Sequence, residues 1–339
     1  MSNLEAAPRE VACSSPAASD ADDLPLVRVL EPRAVPLGGP RAMRVRRTLP
    51  QRAQSLIGAW CFVDHYGPDD VSANVGMRVP GHPHTGLQTV SWLFSGEVEH
   101  RDTTGVHAIV RPGEVNLMTA GSGIAHSEYS TPQATVLHGA QLWVALPDPH
   151  RFTAPGFEHY APPPVEQDGA RALVFLGSLL GHTSPVPAFS PLVGAEITLR
   201  PGQRLELEVD PAFEHGVLVD TGALSVAGTA AASGQLAYRP PGDDTLSLHA
   251  SDRGAARVLL LGGRPLDERI VMWWNFVGRT HEEIVAFREQ WQSERADDGA
   301  ASDGSGRPGR PGRFGPFPEQ WETTLAAPEL PNARLRPRE

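Results

Sequence analysis

Two short pairs of ligand-type side chains stand out in this chain. His82 and His84 flank Pro83 in GHPHTGLQTVSWLFSGEVEHRDTTG (81–105), and His126 and Glu128 flank Ser127 in GSGIAHSEYS (121–130). Side chains on a strand alternate between faces, so the members of each pair point the same way with their Cα atoms about 6.5 Å apart. Pro83 removes a ladder donor and stiffens the approach to the first pair. Placed on neighbouring strands, the pairs converge as three imidazoles and one carboxylate. That donor set suits one divalent metal, Fe(II), Mn(II), Ni(II), Cu(II) or Zn(II), and leaves two positions of an octahedron for water, substrate or O2. One His-x-His alone reads more readily as two surface histidines. A second pair at the same spacing, each beside Gly-rich turns, favours ligation.

Other chemistry-bearing residues are weaker candidates. His100 and His107 fall outside both pairs and read as polar strand or turn positions, with a place behind the ligands as their second reading. His65 in VDHYGP (63–68) is a candidate for a pocket mouth, and Phe62, Trp92 and Met118 for a pocket wall, with core packing as their alternative. His138, His150, His159, His182, His215, His249 and His281 have no partner at ligand spacing and read as structural or solvated. GSGIAH (121–126) opens like a dinucleotide fingerprint, but His126 stands where the third Gly belongs. It is not a nucleophile elbow either, and HEEIV (281–285) lacks the second His of a zincin helix.

Strands must position these residues. From about 25 to 146 the chain reads as short apolar or alternating runs, VSWLF (90–94), AIV (108–110), VNLM (115–118) and QLWVAL (141–146), separated by turn chemistry. Such spacing predicts an all-β barrel or sandwich. After a Pro-rich stretch, VGAEITLRPGQRLELEVD (193–210) and HGVLVDTGALSVAG (215–228) repeat the rhythm of strand, Gly, strand, Pro-Gly, strand, a faint internal duplication. Thr280-His-Glu-Glu283 is a capping-box pattern, and Ile284, Phe287 and Trp291 then form one helical stripe. The expected organisation is a disordered leader (1–24), an N-terminal metal-binding barrel (25–153), a Pro-rich junction (154–169) and a metal-free C-terminal barrel (170–279). A helix (280–295), a flexible linker (296–312) and a tail (313–339) that docks back through its aromatic residues follow.

Composition sets outer limits. The chain has 339 residues, 40% of them apolar, enough for one or two domains with buried cores. No run approaches the roughly 18 to 20 apolar residues that span a bilayer, and the N-terminus lacks a secretory h-region. The cytoplasm is the expected location. Cys13 and Cys61 lie far apart, which argues against a disulfide framework or a cysteine zinc site. All 29 basic residues are arginine, so lysine-dependent Schiff-base and P-loop chemistry are excluded. The net charge of −11 argues against direct nucleic-acid binding. Arg41, Arg44, Arg46 and Arg47 read as a solvated strand edge.

The block 81–105, followed by RPGEVNLMTAGSGIAHSE (111–128), resembles the pirin family of the cupin superfamily. SLIGAWCFVDHYGP (55–68) and LLLGGRPLDERIVMWWNFVGRTHEEI (259–284) share the resemblance, which spans roughly residues 25 to 295 and is tightest from 55 to 130. It implies an all-β bicupin, two double-stranded β-helix barrels face to face with a C-terminal helix. It also implies one metal, usually Fe(II), in the N-terminal barrel, with His82, His84, His126 and Glu128 on the family's ligand positions. Gly76 matches the general cupin glycine six residues before the first His. Gln88 replaces the general cupin carboxylate, which leaves that role to Glu128. Where pirins often read H-R-G-F-E-T, this chain has His84-Thr85-Gly86-Leu87-Gln88-Thr89, two charges fewer.

The activity implied is that of an Fe(II)-dependent dioxygenase of the quercetin 2,3-dioxygenase type, using O2 and a flavonol-like aromatic substrate, with Glu128 as general base. The alternative is a non-enzymatic redox-sensing regulator that binds a protein partner. Neither reading involves a membrane.

Overall fold

The computed structural model describes residues 11–13, 27–37, 43–72, 76–300 and 312–337, and strand is the dominant element. In the N-terminal half the alternating runs form β1 (Trp60–Asp70), β2 (Arg78–His84), β3 (Leu87–Ser95), β4 (Val98–Asp102), β5 (His107–Val110), β6 (Val115–Thr119), β7 (Ile124–Ser130) and β8 (Val136–Ala145). One sheet runs β6-β3-β8-β1, with Gly156–Tyr160 at one end and Met43–Leu49 and Arg33–Leu37 at the other; a second runs β2-β7-β4-β5.

The C-terminal half repeats this plan with β9 (Leu192–Leu199), β10 (Arg204–Glu208), β11 (Glu214–Thr221), β12 (Ala223–Val226), β13 (Thr229–Ala232), β14 (Leu236–Arg239), β15 (Thr245–Ala250) and β16 (Ala256–Gly263). Its sheets run β14-β11-β16-β9 and β10-β15-β12-β13. Each strand thus has the neighbours of its N-terminal counterpart, and the shared rhythm of the sequence is a duplication of topology. The molecule is a bicupin.

The two larger sheets face each other across an apolar core. Val90, Trp92, Leu117 and Leu142 of the first barrel share one buried cluster with Phe175, Leu218, Leu259 and Leu261 of the second. Each fully buried Leu or Phe contributes about 1.5–3 kcal/mol, so this layer locks the barrels together. Tryptophan N–H groups fix the alignment. Trp60 Nε1 donates to the Gly262 carbonyl at 3.1 Å and Trp92 Nε1 to Glu196 Oε2 at 2.8 Å.

The barrel interiors differ where it matters for ligation. On β2 and β7, His82 lies opposite His126. On their counterparts β10 and β15, Leu205 lies opposite Leu248 and Leu207 opposite Leu246, all four buried. Aliphatic side chains close the second barrel at the positions where the first carries imidazoles.

Several boundaries depart from the sequence expectation. Arg28–Leu30, expected with the N-terminal barrel, pairs with β14 of the C-terminal one. The Pro-rich stretch 154–169 is not a plain junction. It holds two edge strands, Gly156–Tyr160 on β6 and Pro164–Gln167 on Ala170–Leu176. Prolines are tolerated there because an edge leaves one row of N–H groups outside the ladder. Within the expected disordered leader, Val11–Cys13 pairs with Ile270–Trp273; residues 1–10 and 14–24 lie outside the described residues.

Helix α1 (His281–Ala300) runs past its expected end at 295 into the expected linker, since no proline interrupts ERADDGA (294–300). Residues 301–311 of that linker lie outside the described residues. At its start the Glu283 N–H donates to Thr280 Oγ1 at 3.2 Å, while the Glu283 carboxylate accepts from the Arg279 N–H rather than from Thr280. Ile284, Phe287 and Trp291 are buried together with Phe314 of the tail. The tail continues onto β2. The Leu325 N–H donates to the Gly81 carbonyl at 2.7 Å, and a Cβ at residue 81 would overlap the Trp321 ring. Only glycine admits the tail so close to the strand that carries His82 and His84. Among the described residues no helix is long and apolar enough to cross a membrane.

Candidate metal centre

β2 and β7 run antiparallel with His82 opposite His126, and a register shift follows between His126 and Glu128. The three rings turn toward each other, with centroids 5.1 Å apart for His82 and His84, 4.3 Å for His82 and His126 and 5.0 Å for His84 and His126. One nitrogen from each lies within 4.8 Å of the other two, and all three residues are fully buried. His84 Nε2 and His126 Nε2 are 3.1 Å apart. His82 Nδ1 is 2.8 Å from the Pro80 carbonyl, which can only accept, so the ring hydrogen sits on Nδ1. Its Nε2 then carries a lone pair that is buried without a hydrogen-bond partner among the described residues. A buried polar atom left unpaired costs about 1–3 kcal/mol. A divalent cation among these nitrogens would satisfy it, and the donor chemistry fits one.

Burial pushes the His82 imidazolium down to about 3. Burial and then the neighbouring imidazoles hold His84 and His126 well below the ordinary histidine range. All three are therefore neutral at pH 7, the form that ligates. Without metal they also make the fold acid-sensitive. Below the unfolded value of about 6.5 the unfolded chain binds protons that the folded chain refuses, so stability falls with pH, by up to about 1.4 kcal/mol per pH unit for each histidine. The urea midpoint of the metal-free chain is expected to drop between pH 7.5 and pH 5.5, and to drop less in a His84→Leu, His126→Leu variant. Equal slopes would show that these histidines are not buried in neutral form.

Glu128 lies beside this group rather than within it. Its carboxylate is within 4.8 Å of nitrogens of His126 and His100, and it is buried. Ser91 Oγ is 3.4 Å from Glu128 Oε1 while lying 2.9 Å from Gln141 Oε1.

The pocket candidates divide by strand parity. Phe62 and Met118 share a buried cluster with Trp143 and Leu87. Phe62 stacks on Trp143 at 4.1 Å, and Trp143 meets the His84 ring edge-on at 5.3 Å. Trp92 does not line this site. Its neighbour Ser91 faces the site, so Trp92 points the other way and stacks on Phe175 between the barrels at 4.6 Å. His65 is not at a pocket mouth either. Its Nε2 is 2.8 Å from Asp220 Oδ1 of the second barrel, which His138 Nε2 also approaches to 2.6 Å.

His65, His138 and Asp220 are close enough together to hold a cation. Their hydrogen bonding is unsuited to one. Arg46 Nε lies 3.3 Å from His65 Nδ1, leaving the ring hydrogen on Nε2, and Arg257 Nε takes Asp220 Oδ2 at 2.7 Å. Arg257 already balances the carboxylate and Arg46 adds a further positive charge that disfavours a cation, so this is a clasp between barrels. Arg46 and Arg47 consequently are not a solvated edge. Arg47 is buried in a two-point ion pair with Asp64, at 2.6 and 2.8 Å, and lies over the Phe62 ring.

Trp143, Ser91 and Asp102 are site residues that sequence reasoning passed over. His100-x-Asp102 has the same spacing as the ligand pairs, and that signal was available. His107 is half exposed and bonds Glu99 at 2.7 Å, away from the centre.

The comparisons agree with this architecture. A family model described as Pirin matches residues 42–144, and one described as Pirin C-terminal cupin domain matches residues 194–297. A Pseudomonas aeruginosa protein named provisionally as a quercetin 2,3-dioxygenase is 44% identical over 268 residues, 79% of this chain and 84% of its own length. A pirin-like protein of Caulobacter vibrioides is 35% identical over 260 residues, 74% of this chain and 88% of its own. The crystal structure of a quercetin 2,3-dioxygenase from Acinetobacter baumannii, 36% identical, superimposes with a TM-score of 0.81 over 92% of this chain and 98% of that one. Doubled barrels, three imidazoles in the first and leucines in the second thus accompany family matches to both halves, and the chain belongs to the pirin family.

Proposed function

We propose that this chain is a dioxygenase of the quercetin 2,3-dioxygenase type, holding one Fe(II) with His82, His84, His126 and Glu128. The observation that carries the proposal is the group of three neutral, buried imidazoles with converging nitrogens inside the first barrel. Its likeness across 92% of the chain to a protein described as a quercetin 2,3-dioxygenase supports the choice of reaction. Mn, Ni, Cu or Zn would suit the same donors.

When bound, the metal supplies Lewis acidity and an electron-exchange site for a flavonol hydroxyl and O2. The chain's own residues do the rest. Glu128 accepts the hydroxyl proton at its carboxylate, a general-base step. Gln141 holds the Ser91 hydroxyl beside that carboxylate. The Phe62–Trp143 stack gives the site an apolar aromatic wall next to His84, suited to a flat ring system, and Met118 extends it. Full burial keeps bulk water from the proton acceptor.

The test is O2 consumption by anaerobically iron-loaded protein given quercetin, with His82→Ala as control. Uptake matched to flavonol loss, and absent in the variant, is the expected result. No uptake with iron shown to be bound would overturn the enzymatic reading and favour a redox-sensing regulator whose partner binds one oxidation state.

A further inference from the structure

Behind His126 stands a hydrogen-bonded chain that the ligand set does not require. His100 and Asp102 lie on β4, opposite Glu128 and His126 of β7 respectively. His100 Nε2 is 3.0 Å from Asp102 Oδ2, and His100 Nδ1 is 3.2 Å from His126 Nδ1. Both side chains are nearly fully buried. The other Asp102 oxygen, Oδ1, accepts from the Thr104 N–H at 2.8 Å, the Thr104 hydroxyl at 2.6 Å and the Val106 N–H at 3.2 Å. The turn 102–106 therefore fixes the carboxylate, and four donors converge on it.

The carboxylate sets the direction in which this chain begins. An ionised Asp102 can only accept, so the His100 hydrogen sits on Nε2. With its hydrogen on Nε2, the His100 ring offers Nδ1 as the acceptor for a hydrogen carried by His126 Nδ1. The remaining lone pair of His126 is at Nε2, the atom that faces His84 Nε2 at 3.1 Å within the three-histidine group. A carboxylate behind one imidazole would settle the tautomer of a ligand. Here a second imidazole relays the effect, so a buried negative charge reaches the site through two rings. Phe157 packs on the His100 ring with centroids 4.8 Å apart and holds its plane.

We infer that His100 and Asp102 are positioning residues that select the metal-binding tautomer of His126 and extend a negative charge to the centre. This inference rests on the metal reading of the three histidines. A relay of this kind orients the ring and raises its basicity, and loss of such partners weakens metal binding by roughly 10- to 100-fold. By donating electron density it also favours the more oxidised metal.

The test uses Asp102→Asn, which keeps an acceptor oxygen but removes the charge, and His100→Phe, which keeps the ring packing but breaks the chain. Fe(II) affinity is read by chelator competition and the Fe(III)/Fe(II) midpoint potential by spectroelectrochemistry, with circular dichroism and thermal unfolding of the metal-free forms alongside. The expected result is a loss of affinity of about 10-fold for Asp102→Asn and about 100-fold for His100→Phe. The midpoint potential should move positive in both, and the metal-free folds should stay intact. A merely structural turn would change unfolding and leave the potential of the folded protein unmoved. Wild-type affinity and potential in both variants, while His82→Ala loses its metal, would overturn the relay alone. Metal retained in full by His82→Ala would overturn the underlying site as well. If His100→Phe fails to fold, Asp102→Asn decides.

Discussion

Replacing His82 with alanine is expected to take bound metal from one ion per chain to none. The prediction is large because so little else holds this histidine in place. Its ring bonds the Pro80 carbonyl, and its second nitrogen, without a hydrogen-bond partner among the described residues, converges with those of His84 and His126. Removing the ring takes away one of three converging nitrogens and leaves two imidazoles with a carboxylate that stands beside them rather than converging with both. The metal-free fold should survive, since β2 remains bonded to β7 and to the tail. Glu128→Gln should weaken binding less while stopping proton transfer. His107→Ala and His249→Ala should leave metal content unchanged. Elemental analysis of purified protein, with circular dichroism to confirm folding, makes the measurement. A His82→Ala, His126→Ala double variant that still carries one metal per chain would sink the assignment.

Asp220→Ala is expected to be among the most damaging substitutions for stability, at about 3–5 kcal/mol. Asp220 lies on β11 of the second barrel, yet it meets His65 and His138 from the first and Arg257 from its own, with its side chain fully buried. Alanine would leave the Arg257 guanidinium and two imidazoles without the carboxylate they share. Burial alone would raise the Asp220 carboxyl; contacts from His138 and His65 and the charge of Arg257 outweigh it and hold the group well below the usual range. The sign follows from that depression. The stabilisation is present above the unfolded value of about 3.9 and is lost as pH falls through the lower folded value. Urea titrations at pH 7 should show the full loss, and the difference from wild type should shrink in strong acid. A loss under about 1 kcal/mol at pH 7 would mean that the clasp is as weak as a surface pair.

The sequence by itself determined more of the centre than of the frame around it. Strand parity is local, so the spacing of His82, His84, His126 and Glu128 already put each pair on one face, and β2 and β7 bring His82 opposite His126. The repeated rhythm of the two halves likewise carried the duplicated topology, because turn residues mark strand ends wherever the chain later goes. The capping residue and apolar stripe of α1 were readable for the same reason.

What the tertiary structure alone decided is which face each strand turns to which neighbour. A two-residue period tells that Ser91 and Trp92 part company, and Asp64 and His65, but not which member enters the barrel and which meets the other barrel. Trp92 and His65 therefore went to Phe175 and Asp220 rather than to the three-histidine group. His100 and Asp102 had ligand-like spacing, and only the pairing of β4 with β7 set them behind His126 as partners instead of ligands. Pairing partners far apart in the chain are chosen by the total burial they achieve, a sum over both barrels that no local window contains.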